Sequence, residues 1–163
     1  MTIPESIDTP VKLLNWMSKN IEYEEDMDNY FLKSPDDLIR FGKGVCWDQA
    51  ELERAWFSKH GYESKVIYIQ QFNKEHSTHS FLIYKDNNKW VWFEHSYSDH
   101  KGIHKGYEHI RDCICDVYEK MYYDIGDYGF TAHLLKKPKF GMSVSEYMDF
   151  ALGCKKICSY EER

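Results

Sequence analysis

Apolar and polar positions follow two rhythms along this chain, and each rhythm assigns elements. "VKLLNWMSKNI" (residues 11–21) carries a helical spacing, and Thr9-Pro10 ahead of it supplies a capping hydroxyl and a proline for the first helical position. Ser34-Pro35-Asp36-Asp37 repeats the arrangement for "SPDDLIRFG", with acids in the first turn and Gly42 as the stop. From Gly42 to Gly61, "GKGVCWDQAELERAWFSKHG" places Cys46 immediately before a strongly amphipathic helical stretch. Ser143 and Glu146 form a capping box that opens "SVSEYMDFALGCKKI". A further helix is predicted over about Tyr107 to Tyr123, where "CICDVY" also reads as a strand.

Between the helices the rhythm shortens. "SKVIYIQQF" (Ser64–Phe72) is rich in β-branched and aromatic residues, and "HSFLIYKDNNKWVWFEHS" (His79–Ser96) reads as two strands around a polar turn at Asp86-Asn87-Asn88. Helix, helix, Cys46 helix, short antiparallel sheet and further helices make an α+β fold.

Strand parity decides which side chains of that hairpin can meet. A two-residue turn at Asp86-Asn87 sets His79 directly opposite Glu94. A turn at Asn87-Asn88 sets Glu94 opposite Phe81 and diagonal to His79, still within reach of a long carboxylate. A three-residue turn would send the two to opposite faces. In both two-residue cases Phe81, Ile83, Trp90 and Trp92 share the face of His79 and Glu94, an apolar surface on which the Cys46 helix is expected to pack.

Composition sets the frame around this hairpin. A chain of 163 residues is expected to form one domain over 1–163, with a core at about 34–100 and a helical C-terminal portion at about 105–160. Five Trp, thirteen Tyr and nine Phe spread along the chain argue for a folded protein. The net charge of −6 gives no reason to expect nucleic acid or an anionic membrane as partner, and Lys136-Lys137-Pro138-Lys139 reads as a solvated loop. "MTIPESIDTP" shows no secretory pattern and no apolar run is long enough for a bilayer, so the expected setting is cytoplasmic, with five reduced cysteines.

A thiol at a helix N-terminus loses its proton more readily, because free N–H groups and the helix dipole stabilise the anion. The same N–H groups can hold an oxyanion. A nucleophilic cysteine also needs a base, and the base needs an orienting partner. The candidates are Cys46 as nucleophile, His79 as base and Glu94 as orienter, with His76 competing for the second role and Asp99 for the third. Trp90 and Trp92 are assigned to the core. Two clusters are weighed as zinc sites and set aside. His95, His100, His104 and His109 lie in a glycine-broken segment that does not hold them on one helical face. Cys113, Cys115, Cys154 and Cys158 lack the two-residue knuckle spacing and read as buried thiols. No glycine-rich phosphate loop or dinucleotide fingerprint is present, and no cofactor or metal is expected.

Gly44-Val45-Cys46, followed by Trp47-Asp48-Gln49-Ala50, a glycine closing the helix and then a strand, resembles the nucleophile segment of the transglutaminase-like cysteine enzymes. In that superfamily a Gly-x-Cys helix precedes a histidine strand and then a strand ending in an acid, usually aspartate. His79 followed by "SFLIYKDNNKWVWFE" matches that layout, including a tryptophan shortly before the acid. The resemblance covers about Ser34 to Ser96. It implies a papain-like α+β fold with Cys46 as nucleophile, His79 as general base and acid, and Glu94 as orienter. Two features depart from the family pattern: the acid is glutamate, and His95-Ser96-Tyr97 replaces the usual "DPT"-like continuation. For an upstream oxyanion-hole side chain the candidates are Trp16 and Tyr23.

The expected function is therefore thiol-dependent acyl transfer, in the form of a cysteine peptidase or amidase that cleaves a peptide or amide bond of its substrate through a Cys46 thioester. Two alternatives stand beside it. One is a non-catalytic binding module on the same fold. The other is an acyltransferase of the arylamine N-acetyltransferase kind, which normally needs a longer chain.

Overall fold

The expected caps are in place in the computed structural model, which describes residues 2–72, 77–122 and 128–161. The Thr9 hydroxyl accepts from the Lys12 N–H at 3.2 Å and opens α1 (Pro10–Asn20), which buries Leu13, Trp16 and Met17. The Ser34 hydroxyl accepts from the Asp37 N–H to open α2 (Pro35–Phe41), and Gly42 ends it at φ 71°, a left-handed conformation suited to glycine. Ser143 and Glu146 bond reciprocally at the start of α5 (Val144–Gly153). That helix stops at Gly153, and Lys155 onward is strand rather than helix.

The main sheet has six antiparallel strands in the order β6-β5-β4-β3-β7-β8. They are β3 (Ser64–Gln71), β4 (Thr78–Asp86), β5 (Lys89–Glu94), β6 (Gly102–Tyr107), β7 (Gly129–Leu135) and β8 (Lys155–Glu161). Asn87 and Asn88 form the β4–β5 turn with φ of 51° and 63°, the pair of positive values a two-residue hairpin turn requires and asparagine tolerates. Asp86 therefore pairs with Lys89 and Leu82 with Phe93, so Glu94 falls opposite Phe81 and diagonal to His79.

The Cys46 helix, α3 (Cys46–Lys59), packs on the other face from the one expected. Its Ala50, Trp56 and Phe57 join Val66, Tyr68, Leu82, Tyr84, Val91 and Phe93 in one core. Phe81, Ile83, Trp90 and Trp92 instead form a second core with Cys113, Ile114, Val117 and Tyr118 of α4 (Ile110–Tyr122). The reason lies in the strands themselves. "FLIY" and "WVWF" are apolar at every position, so both faces need a cover, and parity alone does not say which helix covers which face. Each fully buried Leu, Ile or Phe in these layers contributes about 1.5–3 kcal/mol.

The C-terminal portion is helical only in part. Tyr107 closes β6 and α4 begins at Ile110, while β7 and β8 extend the sheet beyond β3. A separate two-residue parallel ladder joins β1 (Glu22–Tyr23) to β2 (Lys43–Gly44), pairing Tyr23 with Gly44 next to the Cys46 turn. Among the described residues no helix is long and apolar enough to cross a membrane.

Candidate active site

The turn that presents Cys46 is fixed from below. Gly44 is buried, and a Cβ on it would press on Leu38 Cδ1 and sit 2.9 Å from Asp48 Oδ2, so any side chain there must displace these two residues. Val45 is the N-cap of α3 and has no side-chain oxygen; its own N–H is instead held by Asp48 Oδ2 at 3.0 Å. Asp48 is fully buried and also accepts from the Tyr30 hydroxyl and, at 2.7 Å, from the Lys33 N–H. Burial pushes its carboxyl above the usual range, although these donors pull the other way. Cys46 follows as the first residue of α3, where its N–H has no intrahelical acceptor, and it is 7% exposed.

His79, the second residue of β4, is bound to the acid at the end of β5. His79 Nε2 lies 2.6 Å from Glu94 Oε1, and both side chains are buried. The Cys46 thiol and the imidazole line the same cleft, and the two groups interact electrostatically. Since Nε2 is taken by the carboxylate, Nδ1 is the nitrogen left for the sulfur. Helix and imidazole thus belong to opposite faces of the sheet and meet at its end, where the first turn of α3 comes level with the start of β4. Burial alone would push His79 towards its neutral form. The Glu94 charge and the Cys46 contact outweigh it and raise its pKa to about 10. Burial would raise Glu94, but attraction to His79 and the hydrogen bonds from His79, the Tyr97 N–H and Ser96 hold it below the usual carboxylate range.

With a fourth bond from Trp92, hydrogen bonds fill both oxygens of Glu94. Oε1 accepts from His79 and from Trp92 Nε1–H at 3.2 Å; Oε2 accepts from the Ser96 hydroxyl and the Tyr97 N–H, each at 3.1 Å. The departure after the acid therefore has a structural use, since Ser96-Tyr97 cradle the carboxylate. Glu53, two turns along α3, is buried as well, and burial followed by the Glu94 charge pushes its carboxyl well up.

Cys46 and His79 line a cleft of about 480 Å³ together with Tyr23, Glu25, Tyr97 and Tyr122, among others. Tyr23 reaches this wall through the β1–β2 ladder. Burial, then the Cys46 thiol, raises its pKa, so its hydroxyl stays a proton donor.

The other candidates lie elsewhere. Asp99 is exposed on the short turn Ser98–His100, and the carboxylate bound to His79 is that of Glu94. His76 lies outside the described residues. Trp16 packs in the core and does not line the cleft. Trp90 and Trp92 are core residues, and Trp92 has the additional bond to Glu94. His104 stacks on Trp92 and bonds the His100 carbonyl, whereas His109 is exposed. All five cysteines are free; Cys113, Cys154 and Cys158 are buried, but Cys115 is exposed on α4, contrary to the expectation for that group of four. Among the described residues no three His, Cys, Asp or Glu side chains converge as a metal site.

Sequence reasoning passed over Gln49, Asp48, Tyr30 and the Ser96-Tyr97 cradle. Asp48 at the third helical position carried a readable capping signal. Gln49 meets His95 and Tyr30 meets Asp48 across distant stretches of chain, and no local pattern points to those contacts.

A family model described as a transglutaminase-like domain matches residues 1–98, a span that contains Cys46, His79 and Glu94. No curated protein matches the chain.

Proposed function

From the premise that the chain belongs to the transglutaminase-like domain family, we propose that it is a thiol-dependent acyl-transfer enzyme with Cys46 as nucleophile. The observation that carries the proposal is the buried 2.6 Å bond between His79 and Glu94, with Cys46 lining the same cleft as that imidazole.

The raised pKa of His79 places the Cys46 proton on the imidazole before substrate arrives, and in the first half-reaction the thiolate sulfur attacks the carbonyl carbon of a peptide or carboxamide. Negative charge moves to the carbonyl oxygen, within the field of the Cys46 N–H and the Tyr23 hydroxyl. His79 gives its proton to the departing nitrogen as the C–N bond breaks, leaving a thioester. Glu94 keeps the ring oriented and balances the imidazolium, but does not itself take the proton. In the second half-reaction water loses a proton to His79 and attacks the thioester, so the products are a carboxylic acid and the restored thiol. A primary amine taking the place of water would give a new amide instead.

The test uses a panel of fluorogenic peptide and carboxamide substrates and an acyl p-nitrophenyl ester, with and without a primary alkylamine. The expected result is turnover that disappears in Cys46→Ala, with acid as product when no amine is added. Turnover indifferent to Cys46→Ala overturns the proposal, and a thiol unreactive towards the ester favours a binding module on this fold.

A further inference from the structure

His95 follows the acid, and it is buried to 5% exposure on the face opposite Glu94. Its Nδ1 lies 2.6 Å from Gln49 Oε1, and Gln49, 1% exposed, donates through Nε2 to the Gly44 carbonyl at 3.0 Å. The direction of this chain is set by chemistry. Gln49 uses its amide N–H on a carbonyl, so its oxygen must accept, and His95 must carry its proton on Nδ1. His95 Nε2 is then a bare acceptor, and among the described residues it is buried with no partner. Burial, then the charge of Lys101, pushes the His95 pKa down to about 4, so the ring is neutral near pH 7.

Leaving a buried ring nitrogen unpaired is unfavourable, and a phenylalanine would fill the space without that cost. What the histidine supplies is its other nitrogen. One end of the hydrogen-bond chain is the peptide after Glu94; the other is the carbonyl two residues before Cys46. The nucleophile turn on one helix and the acid on the sheet are thereby tied together without passing through the cleft.

We propose that His95 and Gln49 are positioning residues that fix the distance between the Cys46 sulfur and the His79 imidazole. The proposal rests on the acyl-transfer reading of that site. Asp48 holds the Val45 N–H from the α2 side, and Gln49 holds the Gly44 carbonyl from the β5 side, so the Gly44-Val45 peptide is gripped at both of its polar groups. Without the His95 bond, Gln49 is free to turn, and the sulfur can drift from the ring while the cores above and below stay packed.

The test is the pH profile of Cys46 alkylation by iodoacetamide in the folded full chain, followed by mass spectrometry of the Cys46 peptide, with exposed Cys115 as internal comparator. In the wild type the Cys46 rate should stay high below pH 7, where Cys115 reacts slowly. His95→Phe and Gln49→Met should each lower the Cys46 rate at pH 6 on the order of tenfold. The Cys115 rate should stay close to wild type, and the thermal midpoint should fall by only several degrees for the polar groups left unpaired, so that the chain stays folded at the assay temperature. His95→Asn, whose amide N–H stands near the place of Nδ1–H, should restore the low-pH rate. If His95→Phe fails to fold, Gln49→Met and the His95→Asn rescue still decide. Profiles identical to wild type in the variants, or no recovery in His95→Asn relative to His95→Phe, overturn the positioning role while leaving the acyl-transfer reading intact. A wild-type Cys46 no faster than Cys115 at low pH counts against the acyl-transfer reading itself, and the positioning role falls with it.

Discussion

Glu94→Gln removes one charge and exchanges one oxygen for an NH2, and the structure says what each change costs. All four neighbours of the carboxylate are donors: His79 and Trp92 on Oε1, Ser96 and the Tyr97 N–H on Oε2. If the glutamine oxygen faces His79 and Trp92, its NH2 meets the Tyr97 N–H head on, while the Ser96 hydroxyl can turn and accept. The reverse orientation strands the Trp92 N–H and forces the imidazole proton onto Nδ1, towards the sulfur. The first arrangement is the cheaper, and one orphaned donor costs about 1–3 kcal/mol. The lost charge matters more to the site. A unit charge at about 4 Å in an effective dielectric near 20 is about 4 kcal/mol, or about three pKa units. His79 should therefore fall from about 10 to about 7 or below, since burial then dominates. The assay is NMR titration of the His79 ring, with urea unfolding alongside. A His79 titration unchanged in Glu94→Gln would refute the reasoning, because the carboxylate would then not be what holds the imidazolium.

Tyr23→Phe should lower turnover of an acyl p-nitrophenyl ester by roughly 10²-fold, the usual effect of losing one oxyanion donor, with the thermal midpoint unchanged; an equal rate removes Tyr23 from the mechanism. Gly44→Ala puts a Cβ into contact with Leu38 and Asp48, so urea unfolding should show a loss of about 1–3 kcal/mol, and Cys46 alkylation should slow. The folded-state pKa of His79 lies above the usual imidazole value of 6.5, so the folded state binds the extra proton between pH 6.5 and about 10. The stabilisation is full below 6.5 and is lost as pH rises through about 10. The difference in unfolding free energy between wild type and His79→Asn should shrink across that window, and a difference that grows with pH contradicts the assignment. Glu94, held low, contributes above the ordinary carboxylate range and loses its contribution as pH falls.

The local parts of this architecture were legible because they obey local rules. Thr9, Ser34 and Ser143 announced helix starts, Gly42 a helix stop, and Asn87-Asn88 one of two hairpin registers that bring His79 and Glu94 onto one face. What was not legible depends on partners distant in the chain. Strands apolar on both faces do not reveal that α3 covers the Leu82 side and α4 the Phe81 side. "GFTAHLL" and the last strand were absorbed into an expected helical portion, since short segments at a sheet edge take their conformation from the strand beside them. At the site, the residues after Glu94 looked like a loss of family pattern; only the folded chain shows two of them bonded to the acid and His95 bonded to Gln49.

The most direct measurement is to catch the acyl group on sulfur. The protein is mixed with an N-acylated amino-acid p-nitrophenyl ester, quenched in acid within the first turnover and digested for mass spectrometry. The account predicts the acyl mass on the Cys46 peptide, released by neutral hydroxylamine, absent in Cys46→Ala and formed far more slowly in His79→Asn. An acyl group found on Cys115 or a lysine instead, or ester cleavage at the same rate in Cys46→Ala, would contradict it.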